Sequence, residues 1–195
     1  MPKLWSETVE SHRHEVREAI LDAAADLVRG GGLLSVTMSQ IAETAGIGRA
    51  TLYKYFADVE EVLGAWHERH VAAHLAELAG IAARPEESAA RLRLVLDAYA
   101  EISRRRHRHG GDALAAALHR GDQADDHQRQ LRDLLSALIA EAAAAGRVRS
   151  DVPAVELADY CLSALAAAGA VDSPAARARL VEVVWAGLAL PVGKD

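Results

Sequence analysis

Residues 37–63 constrain the fold of this chain more than any other stretch. They read Thr37-Met38-Ser39-Gln40-Ile41-Ala42-Glu43-Thr44-Ala45-Gly46-Ile47-Gly48-Arg49-Ala50-Thr51-Leu52-Tyr53-Lys54-Tyr55-Phe56, followed by Ala57-Asp58-Val59-Glu60-Glu61-Val62-Leu63. Thr37 with Gln40 is a capping box, in which the hydroxyl takes a backbone N–H and the amide reaches back to the cap. Ile41, Ala42 and Ala45 then form an apolar side at helical spacing. Gly46 supplies a positive φ that a residue with a Cβ resists, so a short helix stops there. Ile47 is the buried residue of the turn, and Gly48 is a tolerable cap for a second short helix. In that helix, expected over 48–56, Leu52 and Phe56 lie four residues apart and face the core. Asp58 with Glu61 makes another capping box and opens a third helix.

What remains on the outer side of the second helix can hold DNA. Arg49 and Lys54 offer charge. Thr51, Tyr53 and Tyr55 offer hydroxyls, and small Ala50 lets the helix approach base edges closely. A short helix, a glycine turn and a polar-faced second helix are the layout of a helix-turn-helix reader.

The segment resembles the DNA-binding domain of the tetracycline-repressor (TetR) family of bacterial transcription regulators. Thr37, Ile41, Ala42, Ala45, Gly46, Ile47, Thr51, Leu52, Tyr53 and Phe56 carry the likeness, which covers roughly the first third of the chain. Gly48 stands where the family usually has Ser, and Val59 where a Lys commonly meets a phosphate. The resemblance implies a homodimeric transcription factor, expected to be a repressor that a small molecule releases from a palindromic operator. It implies DNA contacts from Thr37, Ser39, Arg49, Ala50, Thr51, Tyr53, Lys54 and Tyr55. Arg49 leads for base readout, while Thr37, Lys54 and Tyr55 mainly hold phosphates.

Charge tempers this reading. The 195-residue chain carries a net −6. Residues 1–56 hold six Lys/Arg against seven Asp/Glu, and residues 37–56 hold two against one. A local patch, not the total, sets phosphate binding. This patch predicts modest non-specific affinity and a shallow salt slope per protomer. The weak patch, with the departures at Gly48 and Val59, motivates an alternative: a helical protein-interaction module whose reader motif is vestigial.

The rest of the chain reads as helices, rich in Ala and Leu, without period-2 β-branched runs. The expected fold is all-α, with about nine helices. An N-terminal three-helix helix-turn-helix domain occupies 1–56, with a loosely ordered arm at 1–11. A long helix joins it to a C-terminal helical ligand-binding and dimerisation bundle over 57–195. A first helix over 12–29 carries Val16, Ile20, Ala23 and Leu27 inward and ends at Gly30-Gly31-Gly32. The joining helix runs from about Val59 to about Ala82, roughly 35 Å at ~1.5 Å per residue. Arg84-Pro85-Glu86 breaks it. Further helices are expected over 87–107, 112–119 and 124–145. Asp151-Val152-Pro153 and Ser173-Pro174 open the last two. Those last two, near 153–170 and 174–190, are apolar on more than one side and must be covered twice. They are the expected homodimer contact, as in the family's usual four-helix interface.

Single residues outside the reader are less informative. Trp66, His70, Tyr99, His119 and Cys161 are the candidate ligand-binding residues, because they fall where such regulators hold effectors. The spacing of His67, His70 and His74 lacks the supporting cysteines or carboxylates of a metal site. Residues 104–109, Arg-Arg-Arg-His-Arg-His, read as cations at a helix C-terminus. No P-loop, dinucleotide fingerprint or His-Glu-x-x-His occurs, so neither a cofactor nor catalysis is expected. Cys161 is the only cysteine, and no apolar run approaches the ~18 residues of a membrane span. Together these predict a cytoplasmic protein.

Overall fold

The computed structural model describes residues 3–108 and 122–190. Among the described residues there are eight α-helices and no strand. They are α1 (Lys3–Gly31), α2 (Met38–Thr44), α3 (Arg49–Leu52), α4 (Val59–Ala82), α5 (Ser88–Arg108), α6 (Asp122–Ala144), α7 (Ala154–Ala166) and α8 (Pro174–Leu188). Single 3-10 turns occupy Leu33–Ser35 and Ala167–Ala170. The short helix expected over 112–119, with His119, lies outside the described residues.

The contacts divide the chain into two compact units, and the division falls inside α4, between His70 and Val71. In the first unit, Ile20, Leu21 and Ala24 of α1 meet Ile41 and Ala42 of α2, Leu52 of α3, Phe56, and Val62 and Leu63 of α4. The first turns of α4 therefore share the reader's core, beyond the boundary expected at 56/57. Arg17 lies over the Phe56 ring at 5.4 Å, which covers that core's edge with a cation–π contact.

The second unit packs α5 against α6, α7, α8 and the turn Ala167–Ala170. Its core includes Leu92, Val95 and Leu96 of α5, Leu135 and Ile139 of α6, Cys161 and Leu165 of α7, and Val184 and Leu188 of α8. These are the positions that a 3.6-residue period selects. Burial of this apolar surface is the main stabilising term, at roughly 25 cal/mol per Å² removed from water.

The punctuation follows the sequence signals, with three differences. Gly46 (φ 67°) ends α2 and Gly146 (φ 65°) follows α6, both in the left-handed region. Ser173 Oγ accepts from Ala176 N at 3.1 Å, with Pro174 in the first turn of α8. The first difference is α1, which begins at Lys3, so residues 3–11 are helical and not a loose arm. No helix-breaking residue interrupts 3–29, so the helix propagates back from its packed half. Second, α1 runs on through Gly31 and stops only at Gly32, whose φ is 79°. Third, Pro153 is the cap of α7 without a side-chain hydrogen bond. Asp151 is held instead by Arg149, at 2.7 and 2.8 Å.

Candidate nucleic-acid interface

The capping box at Thr37 forms in full. Gln40 N donates to Thr37 Oγ1 at 3.3 Å, and Thr37 N donates to Gln40 Oε1 at 3.0 Å. The Thr37 hydroxyl also donates to that amide oxygen at 2.8 Å. This fixes the start of α2, with Thr37 and Ser39 on its exposed side. After Gly46, the Ile47 N–H returns to the Ala42 carbonyl at 3.0 Å, closing the turn.

Gly48 caps α3 with φ −69° and no side-chain bond. The α-helical geometry then lasts only through Leu52, shorter than the helix expected over 48–56. The Lys54 and Tyr55 N–H groups bond the Thr51 and Leu52 carbonyls, three residues back, at 3.0 and 2.9 Å. The last turn is thus tightened, as helix ends often are. Leu52 and Phe56 are buried, as their spacing requires. Arg49, Ala50, Tyr53 and Lys54 are exposed, with Tyr53 at 50%. Thr51 and Tyr55 are half-buried, and Tyr55 packs against the reader core. Four of these residues, Arg49, Ala50, Thr51 and Tyr53, present a guanidinium, a small side chain, a hydroxyl and a phenol within about one turn and a half. That face can bring a donor fork and two hydroxyls to base edges and phosphate oxygens.

The third helix begins with a variant of the expected cap. Asp58 Oδ1 accepts from Glu61 N at 2.8 Å, but Glu61 Oε2 accepts from Ala57 N, at 2.6 Å, and not from Asp58. Within the first unit, Arg69 of α4 donates to Glu18 at 2.7 Å and Asp22 at 2.8 Å, both on α1. Sequence reading missed this clamp, since its partners lie 51 and 47 residues away and no local pattern marks them.

The candidate ligand residues fall in both units. Trp66 and His70 belong to the first and stack on each other, with ring centroids 5.8 Å apart. Tyr99 and Cys161 belong to the second. Cys161 is fully buried, and burial pushes its thiol up to about 12, so it stays protonated and is inert as a nucleophile. Burial also raises the Tyr99 phenol, against the Arg106 charge and the Ser103 hydroxyl.

The arginine run at the end of α5 is less solvated than its sequence implies. Arg104 donates to Glu101 at 2.6 and 3.1 Å, and Arg177 of α8 meets the same carboxylate at 3.0 Å. The Arg104 hydrogen bonds hold the Glu101 carboxyl below its ordinary range, against burial and with help from Arg177. Arg105 reaches Glu77 at 3.5 Å. Among the described residues no group of three or more His, Cys, Asp or Glu side chains is placed to hold a metal. No helix among them is long and apolar enough to cross a membrane.

The family model for bacterial regulatory proteins of the tetR family matches residues 20–65. The model for the C-terminal domain of SbtR-like transcriptional regulators matches residues 106–190. Together they span about two-thirds of the chain. The chain belongs to the TetR family.

Relatives agree with this TetR assignment. The HTH-type transcriptional regulator BetI of Rhizobium meliloti is 41% identical over 63 residues. That match spans 32% of this chain and 28% of BetI, so the chain matches less than a third of that relative's length. A TetR/AcrR-family regulator from Thermobifida fusca superposes with a TM-score of 0.74 at 20% identity, over 88% of this chain and 97% of that one. AibR, solved with isovaleryl coenzyme A and operator DNA, superposes with a TM-score of 0.64 at 18% identity. That likeness covers 89% of this chain and 97% of AibR. Both share the helical fold, from the helix-turn-helix through the C-terminal bundle. The first unit is therefore a TetR-type DNA-binding domain in a transcriptional regulator.

Proposed function

We propose that this protein is a homodimeric repressor that binds a palindromic operator and is released from it by a small molecule. The observation that carries the reading is the exposed Arg49, Ala50, Tyr53 and Lys54 face, set on a helix whose other side is locked into the reader core. One such helix enters the major groove of each half-site, with half-site centres about one helical turn apart or a multiple, ~34–36 Å. Arg49 reads a base. Thr51 and Tyr53 contact bases or sugar, and Thr37, Ser39, Lys54 and Tyr55 hold phosphates.

The dimer forms through α7 and α8. Val155 and Tyr160 of α7 and Val183 of α8 are exposed apolar side chains, Val183 at 63%. Such residues on adjoining helices favour a partner over water. The Tyr160 ring lies over Gly187, where a Cβ would come within 2.8 Å of its hydroxyl, so the missing side chain lets it lie close to α8.

The release is a shift of populations. Helix α4 contributes residues to both compact units. An effector held by the C-terminal unit acts through α4 on the spacing of the two readers. It moves the equilibrium only by its differential affinity for the two spacings. Taking the dimer from mostly bound to mostly released needs a preference of about 10⁴-fold, or ~5.5 kcal/mol. AibR, solved with an acyl-coenzyme A and its operator, supports a small-molecule effector as the class. Binding and release, not turnover, is the proposed activity, with the cytoplasm as its place.

The test is a gel shift on DNA flanking the protein's own coding region. Salt-sensitive, sequence-dependent binding by a dimer is expected. Absent or salt-insensitive binding contradicts the reading.

A further inference from the structure

The cations of the first unit fall into two groups. Residues 10–70 carry six Lys and Arg side chains. Arg29 is paired with Asp26, and Arg69 with Glu18 and Asp22. Arg13, Arg17, Arg49 and Lys54 are exposed and make no ion pair among the described residues. Arg49 and Lys54 belong to the outer face of the reader. Arg17 belongs to α1, yet its guanidinium carbon lies 5.4 Å from the centroid of the Phe56 ring. Phe56 follows Lys54 by two residues, at most roughly 7 Å of chain. Folding therefore carries a cation from α1 to the end of the reader segment.

Carboxylates close to Arg17 in the chain, and those that follow Phe56, are engaged elsewhere. Glu18 and Asp22 accept from Arg69. Glu15 accepts from the Ser11 hydroxyl. Asp58 and Glu61 accept backbone N–H groups at the start of α4. The first turn of α4 holds Glu60 and Glu61 and no Lys or Arg, so the chain after Phe56 brings no cation of its own to this edge.

An unpaired cation kept in place by an aromatic ring is prepared for an anion. The ring occupies one side of the guanidinium, whose five N–H donors are spread round a planar fork. Donors turned away from the ring suit the paired oxygens of a phosphate. The ring already restricts the side chain, so less rotamer freedom is lost on binding.

We propose that Arg17 holds a DNA phosphate beside the contacts of α3. Such a contact fixes the register of the reader on the duplex and carries no sequence information. It rests on the DNA-binding reading above and adds to it an element, α1, and a cation that residues 37–56 do not contain.

The experiment measures the affinity of the full-length protein for a duplex from the DNA flanking its own coding region, by fluorescence anisotropy, from about 50 to about 200 mM salt. Each phosphate contact adds about 0.9 to the fall of log affinity with log salt. Arg17→Gln, present in both protomers of a dimer, makes that slope shallower by about 1.8. It weakens binding to every duplex by the same factor and leaves the ranking of operator base substitutions as in the parent. Arg17→Met still covers the Phe56 ring with an unbranched apolar side chain but has no charge, and it carries the test if Arg17→Gln does not fold. Arg17→Lys keeps the parent slope. Arg29→Gln removes a cation already paired with Asp26, controls for net charge and also keeps the parent slope.

The proposal is overturned if the folded Arg17→Gln or Arg17→Met protein keeps the slope of the parent, whatever its melting temperature, or if Arg29→Gln flattens the slope as much. A parent that binds its operator while Arg17→Gln keeps its slope loses this contact alone. A protein that shows the slope change but prefers no sequence keeps the contact and loses the palindromic operator. A parent that binds no duplex at any salt fails on both counts.

Discussion

Gly46 shows how one residue sets the geometry of the reader. Its φ of 67° lies in the left-handed region, and a Cβ there would meet nothing within 4 Å. Space is therefore not the reason for glycine, and backbone conformation is. Gly46→Ala should cost about 1–2 kcal/mol. At roughly 2–4 °C per kcal/mol for a chain of this size, a thermal melt should show a fall of several degrees if the reader unfolds with the rest. An unchanged melt would mean that the turn relaxes freely. Gly48 is the contrasting case. Its φ of −69° is open to any residue, and a Cβ would sit 3.9 Å from Thr51 Oγ1, an ordinary contact. The serine usual in the family would fit there, so its absence here costs only a cap, worth a few tenths of a kcal/mol against glycine.

At the scale of elements, what the sequence made legible depended on how local the signal was. Helix α4 was predicted from its apolar stripe and caps, and Val59–Ala82 is what forms. The cap at Ser173 and the stop at Gly46 rest on neighbours three or four residues away and were equally readable. The start of α1 was not, because a polar helical extension carries no apolar period to announce it. Leu21, fully buried beside Ile20, also escapes a single-stripe reading. The ion pairs that tie helices together leave no trace in spacing at all. Of the proposed DNA face, the exposure of Arg49 and Tyr53 was legible from the helix period, while the tightening after Leu52 was not.

One of those ion pairs gives a pH dependence. Glu101 accepts from Arg104 and pairs with Arg177, and its carboxyl is held below the ordinary range. The folded state thus binds this proton less tightly than the unfolded chain. The stabilisation is complete above the ordinary carboxylate pKa and is lost as pH falls through the lowered one. The group is partly exposed, so about 1 kcal/mol or less is at stake. Glu101→Gln should melt slightly lower than the parent near neutral pH, and the two melts should converge in acid. A gap that persists unchanged in acid would assign the effect to lost packing.

The whole molecule joins two cores whose division falls inside one helix, α4. Within the first unit, Arg69 with Glu18 and Asp22 ties that helix to α1. The proposed dimer brings two readers to one operator, and each reader alone, with Arg49 and Lys54 as the exposed cations of residues 37–56, is expected to hold DNA weakly. Val183→Asp places a charge on the proposed dimer face. It should turn the dimer into monomers in sedimentation velocity and lower operator affinity by more than tenfold, with helical content unchanged. A variant that stays dimeric would move the interface away from α8.

The most direct measurement on the account as a whole is a base-by-base operator scan with the parent protein and Arg49→Ala. The parent should discriminate at each contacted position, and the variant should lose ~1–3 kcal/mol and its preference at one base pair in each half-site. If Arg49→Ala binds every operator sequence as the parent does, the exposed face of α3 is not what reads the DNA.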